Sequence, residues 1–142
     1  MEEKIKKLSE KYLERVMELR RELHKYPEIG FDLFKTAEIV KKELDRIGIS
    51  YKSEIAKTGI VATIKGGKPG KTVLLRADMD ALPLAEESRC DFKSTHEGKM
   101  HACGHDGHTA GLLGVGMILN ELKDELSGNI KLLFQPAEEE PG

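Results

Sequence analysis

Ile5, Leu8, Tyr12, Val16, Leu19 and Leu23 recur at steps of three and four residues, with Lys, Arg and Glu between them. That spacing places them on one face of a first helix. His24-Lys25-Tyr26-Pro27 ends it, because the residue before a proline is pushed out of the helical region. Leu33, Ala37, Val40, Leu44 and Ile47 repeat the spacing in a second helix, and Gly48 supplies a left-handed C-terminal cap. The pattern then shortens. Gly59–Ile64 and Thr72–Ala77 are β-branched or apolar runs split by the turn cluster Gly66-Gly67-Lys68-Pro69-Gly70. They predict two adjacent antiparallel strands, with a further strand near Ser50–Ile55. Leu84–Cys103 has no clear period and reads as a long loop, a kind of segment that is usually functional or mobile.

From about Gly107 to Leu126 the helical spacing returns, with Leu112, Gly116, Leu119, Leu122 and Leu126 on the inner face. Gly111, Gly114 and Gly116 each cost about 1 kcal/mol against alanine inside a helix, and close approach to a sheet is the expected return. Ser127-Gly128-Asn129 breaks this helix, and Ile130–Phe134 forms a last strand. The order helix, helix, strands, loop, helix, strand predicts an α/β fold, a mixed sheet flanked by helices. No internal repeat or low-complexity segment interrupts it.

Composition narrows the function classes. Apolar residues are 39% and charged residues 34% of 142, which supports a buried core and opposes wholesale disorder. With 23 Lys+Arg against 25 Asp+Glu, the net charge is -2, and no run of five like charges occurs. Nothing there points to nucleic acid. No stretch approaches the roughly 18 apolar residues of a membrane span, and MEEKIKKLSE is too charged for a signal peptide, so a cytoplasmic protein is expected. Cys90 and Cys103 make no disulfide framework; in such a chain a thiol is buried, reactive or metal-bound. The charge is mostly Lys and Glu, and Asn120, Asn129 and Gln135 are the only amides, a thermophile-like bias.

Three groups can carry chemistry. His101-Ala102-Cys103-Gly104-His105-Asp106-Gly107-His108 gathers three of the five histidines and one of the two cysteines. In extended chain His101, Cys103 and His105 share a face, and thiolate with imidazole is a donor set that zinc-like metals prefer. Asp106 can orient a ligating imidazole. The competing reading is a polar loop before a helix, with Cys103 inert. Glu138-Glu139-Glu140 follows a strand end at Phe134-Gln135-Pro136. It is either solvated surface or a pair that divides labour, one carboxylate on a metal and its neighbour taking a proton from water. Asp78 and Asp80 flank Met79 and so share a face, as metal ligands, as orienters of a histidine, or as a strand-end turn. Both acidic groups lie just beyond strands, the edge where α/β folds bind ligands. Cys90 and His96 have no partner pattern, and His24 reads as a favourable charge at a helix end.

Taken together, Arg20–Gly30 (RRELHKYPEIG), Leu75–Pro83 (LRADMDALP), Lys99–His108 (KMHACGHDGH) and Leu133–Glu139 (LFQPAEE) resemble the metal-dependent amidohydrolase and carboxypeptidase family. This is the group of hippurate hydrolases, aminoacylase-like enzymes, thermostable carboxypeptidases and auxin-conjugate hydrolases. The resemblance implies that Cys103, His105 and Glu139 are metal ligands, with the thiolate between two divalent ions (zinc, or cobalt, manganese or nickel). It implies that Glu138 is the general base and Asp80 a supporting acid near the metals. The implied reaction is hydrolysis of the amide of an N-acyl amino acid or peptide with a free carboxylate. The implied fold is the N-terminal part of a zinc-peptidase-like catalytic domain, residues 1–142. The inserted dimerisation domain and the C-terminal part, with two further histidine ligands, would lie outside this sequence. Three alternatives are a catalytically inactive fragment that binds metal or protein, a chain that self-associates or joins a missing C-terminal half, and a small zinc domain closed by His101, Cys103, His105 and His108.

Overall fold

The computed structural model describes residues 1–140. Two helices open the chain, α1 (Glu2–Lys25) and α2 (Phe34–Ile47). Strands β1 (Ser50–Ile55), β2 (Gly59–Lys65) and β3 (Lys68–Asp78) follow. A loop then leads to α3 (His105–Glu121), a short 3-10 turn at Lys123–Glu125, and β4 (Ser127–Gln135). The fold is α/β with a mixed four-stranded sheet, as the sequence pattern predicts. Alternation along the strands sorts the faces: Ile60, Ala62 and Ile64 of β2 and Leu132 and Phe134 of β4 are fully or nearly fully buried. They join Leu19 and Leu23 of α1, Val40 and Leu44 of α2, and Leu113 and Met117 of α3 in one core. Gly48 takes the left-handed cap at the end of α2, with φ 71°.

The sheet order is β1-β2-β4-β3, which corrects the expectation that the runs on either side of the glycine cluster are neighbouring strands. β4 lies between them, antiparallel to β2 and parallel to β3. The glycines explain the difference. A Cβ on Gly66 would stand 2.2 Å from the Gly128 carbonyl oxygen, and one on Gly70 would stand 2.6 Å from the Gly128 nitrogen. The cluster is therefore where the β2–β3 link crosses closely over the start of β4, instead of the tip of a hairpin. The α3 glycines divide three ways. Gly116 meets Leu132 of the sheet, Gly114 meets Val16 of α1 instead, and Gly111 meets nothing within 4 Å among the described residues.

The loop from Leu84 to Cys103 is pinned rather than loose. Leu82 and Met100 exchange backbone hydrogen bonds of 3.0 and 3.1 Å. The buried Glu86 accepts hydrogen bonds from the Ser88 hydroxyl (2.5 Å) and the Ser94 amide (2.6 Å). His24, expected to be an ordinary helix-end charge, is buried between two carboxylates. Its Nδ1 lies 2.8 Å from Asp106 and its Nε2 3.0 Å from Glu86. The last turn of α1, the loop and the first turn of α3 are thus tied by one imidazole. Burial alone would push Glu86 upward, but Ser88, Ser94 and His24 outweigh it and bring its pKa down to about 2.

Two outcomes follow from these contacts. Gly128→Ala places a Cβ 1.9 Å from the Lys71 carbonyl oxygen at φ 84°. It is expected to cost about 3 kcal/mol or more in urea unfolding, whereas Gly111→Ala is expected to gain up to about 1 kcal/mol. Because the folded pKa of Glu86 lies below its unfolded value, its contribution to stability is fully present above about pH 4.5. It is lost as the pH falls toward about 2. The protection of the Ser94 amide against hydrogen exchange, taken relative to the intrinsic rate at each pH, should fall across that window, and Glu86→Gln should remove this pH dependence.

Candidate metal centre

β3 and β4 run parallel and end together, with Ala77 opposite Phe134 and Asp78 opposite Gln135. The Met79 amide still donates to the Gln135 carbonyl at 2.9 Å, so both chains leave the sheet from one edge. Beyond β4, Ala137 takes a left-handed φ of 55°, which costs a non-glycine residue about 1–2 kcal/mol and turns Glu138 and Glu139 back over that edge. Beyond β3, buried Asp80 accepts a hydrogen bond from the Glu139 amide at 3.0 Å and so locks the two departing loops together. α3 enters the same place through Gly104, whose φ of 90° lets the chain turn directly into His105.

His105 is the centre of the arrangement, with its side chain 2% exposed. Its Nδ1 faces Asp80 Oδ1 at 3.3 Å, although neither atom has an aligned hydrogen-bond partner among the described residues. Its Nε2 faces Glu139 Oε1 at 3.6 Å, Glu138 Oε2 at 3.7 Å and Asp78 Oδ1 at 3.6 Å. Donor atoms of Cys103, His105 and Glu139 all lie within 4.8 Å of one another. Two ligands of a tetrahedral ion with bonds of about 2.1 Å stand roughly 3.4 Å apart, close to the His105–Glu139 separation. The donor set suits zinc and related divalent ions, and the orphaned Asp80 oxygen is placed to orient His105 from behind. These residues therefore fit a metal.

The acidic surroundings act on their neighbours. The exposed Cys103 thiol is pushed up to about 11, first by its hydrogen bond to Glu139, then by burial and by the charges of Glu139, Glu138 and Asp78. For Asp78 burial is the largest effect and works upward, yet a 2.7 Å hydrogen bond from His108 and the nearby His105 leave its pKa below the ordinary value. That bond makes Asp78 and His108 partners of each other, and His108 also stacks on His105 at 5.6 Å.

All five residues singled out by sequence, Asp80, Cys103, His105, Glu138 and Glu139, meet at this edge. Two expectations about their neighbours fail. His101 does not share a face with Cys103 and His105. It is buried, both its ring nitrogens lack partners among the described residues, and burial above all lowers its pKa to about 4, so it is neutral. A closed site of His101, Cys103, His105 and His108 is accordingly not formed. Asp106 orients no ligand of this centre; it binds His24 and, at 2.8 Å, Arg20. Asp78 belongs to the pair that the strand-end spacing singles out, but its pairing with His108, 30 residues away, has no signal in local spacing.

Known proteins resemble this chain in sequence and fold. Residues 74–142 match the sequence pattern of peptidase family M20/M25/M40. The chain is 47% identical over 128 residues to thermostable carboxypeptidase 1 of Saccharolobus solfataricus, covering 89% of this chain and 33% of that one. It is 47% identical over 137 residues to an N-acyl-L-amino acid amidohydrolase of Geobacillus stearothermophilus, covering 96% and 37%. Its fold superposes on the crystal structure of the Bacillus subtilis YXEP protein, a dinuclear metal-binding peptidase of the M20 family. The TM-score is 0.88 and the identity 40%, over 92% of this chain and 37% of that one. The chain thus spans about a third of the length of the relatives it matches. Identity near one half across almost all of this chain, a shared fold, and a family match running through the elements that build the site agree with one another: the chain belongs to peptidase family M20/M25/M40.

Proposed function

We propose that this chain carries metal-binding and proton-transferring residues of a hydrolase that cleaves the amide bond of N-acyl amino acids or peptides with a free carboxylate. The observation that carries this reading is the convergence of a thiol, an imidazole and a carboxylate on one point, with a second carboxylate beside them. Cys103, His105 through Nε2, and Glu139 would hold the ion, with Asp80 behind His105. Two ions, zinc or alternatively cobalt, manganese or nickel, would take further donors beyond these three. Divalent ions there would supply Lewis-acid activation of the scissile carbonyl and of the attacking water. Glu138 is 39% exposed at its side chain and is not needed to hold the loops together, so its Oε2 is free to take a proton from water and return it to the leaving amine. The small-molecule substrate, the amide class and a cytoplasmic setting are part of this proposal. No helix among the described residues is long and apolar enough to cross a membrane.

A second reading has its own observation. β3 is an edge strand on which Val73 and Leu74 remain 51% and 52% exposed, which suits a surface that associates with another chain or another segment. In that reading the chain is a metal-binding interaction domain without turnover; sedimentation as a clean monomer would remove it.

Hydrolysis of N-acyl amino acids with added cobalt, manganese or zinc, together with metal content, separates the roles. Glu138→Gln is expected to lower kcat by roughly 10²–10⁴-fold while the bound metal is unchanged. Cys103→Ser and Glu139→Gln should lose metal. Asp80→Ala should weaken metal affinity by about 10–100-fold, the usual effect of removing the partner of a ligating histidine. If Glu139→Gln loses none of the metal that the unsubstituted chain binds, the proposed ligand set is wrong.

A further inference from the structure

A second cluster lies away from the proposed centre, at the junction of α1, the pinned loop and α3. It joins His24 from the last turn of α1 to Glu86 and Cys90 from the loop, with Asp106 at the start of α3 behind them. We propose that His24, Glu86 and Cys90 form a second metal site, for one zinc-like divalent cation, distinct from Cys103, His105 and Glu139.

The distances support it. Glu86 Oε1 is 3.0 Å from His24 Nε2 and 3.8 Å from Cys90 Sγ, and one donor atom from each residue lies within 4.8 Å of the other two. Ligands on a tetrahedral ion with bonds of about 2.0–2.3 Å stand roughly 3.3–3.6 Å apart, so shifts of a few tenths of an ångström at the nearest pairs suffice. One nitrogen, one oxygen and one sulfur donor leave a fourth position for water, and the set favours zinc or cobalt over magnesium or calcium.

What stands behind the donors also fits. Asp106 Oδ2 lies 2.8 Å from His24 Nδ1, the arrangement in which a carboxylate holds one ring nitrogen and directs the other at a metal. Arg20 binds the same Asp106 oxygen at 2.8 Å and fixes it in turn. Ser88 touches both remaining donors, at 2.5 Å from Glu86 and 3.2 Å from Cys90. Phe92 closes one side, its ring set edge-on to His24 at 5.4 Å. His24 and Glu86 are buried while Cys90 is half-buried, which gives an ion an approach through the thiol side. The same contacts also describe a plain relay from Asp106 through His24 to Glu86. The two readings differ in whether the Cys90 thiolate takes part.

Cobalt reports that directly, because a thiolate ligand gives Co²⁺ a near-ultraviolet charge-transfer band. The full chain carrying Cys103→Ser and Glu139→Gln, which disables the proposed hydrolytic ligands, is titrated with Co²⁺. A thiolate band saturating at one equivalent, lost on adding Cys90→Ser with cobalt affinity lowered by about 10-fold or more, is the expected result. No band in the doubly substituted chain, a band rising only at large excess of cobalt, or a band indifferent to Cys90→Ser would each overturn the proposal. Far- and near-ultraviolet circular dichroism of each variant shows that folding is retained, and Cys90→Ala provides a second substitution at the same half-buried position. The Cys103 band in Cys90→Ser alone reads the hydrolytic centre independently, so failure of one site is not mistaken for failure of the other.

Discussion

The parallel pairing of β3 with β4 is the constraint on which the site depends. Parallel neighbours cannot be joined by a tight turn, so the chain must cross back through a long connection, here the pinned loop and α3. That connection brings the N-terminus of α3 to the edge where both strands end. Asp78 and Gln135 close the ladder side by side, and the next few residues of each strand become neighbours across a gap. A slip of one residue would send Phe134 and Leu132 to the opposite face and move Glu138 and Glu139 about 3.3 Å along the edge. Burial of Phe134, Leu132, Ile60 and Ala62 in one core therefore sets where the carboxylates stand. The hydrophobic effect, not the polar contacts, fixes the register; the hydrogen bond from the Glu139 amide to Asp80 then fine-tunes it.

Local periodicity carried much of this fold. The amphipathic spacing of α1 and α2 and the β-branched run in β2 are decided by residues within one element, and each appears where its pattern predicts. Strand order was not legible, because the glycine cluster before β3 has the same local signature whether it makes a hairpin or a close crossing. Only the distant Gly128 decides between them. The metal-side residues were legible because unusual donors crowd a short stretch, and their order along the chain resembles a known family. The cluster at His24 was not. Its members stand at positions 24, 86, 90 and 106, two of them in a loop without period, and each taken alone has an ordinary explanation.

His101 shows how crowding in sequence can mislead. Alternation would put it beside Cys103 and His105, but the bridge between Leu82 and Met100 draws the preceding residue back against the loop. The chain then turns sharply at Gly104 to start α3. His101 is left inside the protein near His24, ring centroids 6.3 Å apart, as a neutral imidazole. The two metal-binding candidates thus lie on either side of it, and the first turn of α3 connects them. His105 faces one cluster while its neighbour Asp106 faces the other, because successive residues of a helix point about 100° apart.

An exposed cysteine close to a histidine also invites a different chemistry, in which Cys103 attacks the substrate itself. The electrostatics oppose it. A nucleophilic cysteine is activated by positive surroundings that lower its pKa, whereas Glu139, Glu138 and Asp78 raise that of Cys103 to about 11. At neutral pH such a thiol stays protonated and unreactive unless a cation offsets the carboxylates. Those three acidic groups, together with Asp80, surround a single buried imidazole. This is a poor environment for a free thiolate and a favourable one for a divalent ion, which would deprotonate Cys103 as it binds. The pattern of charge around the thiol, more than the presence of a thiol and an imidazole, argues for a ligand and against a nucleophile.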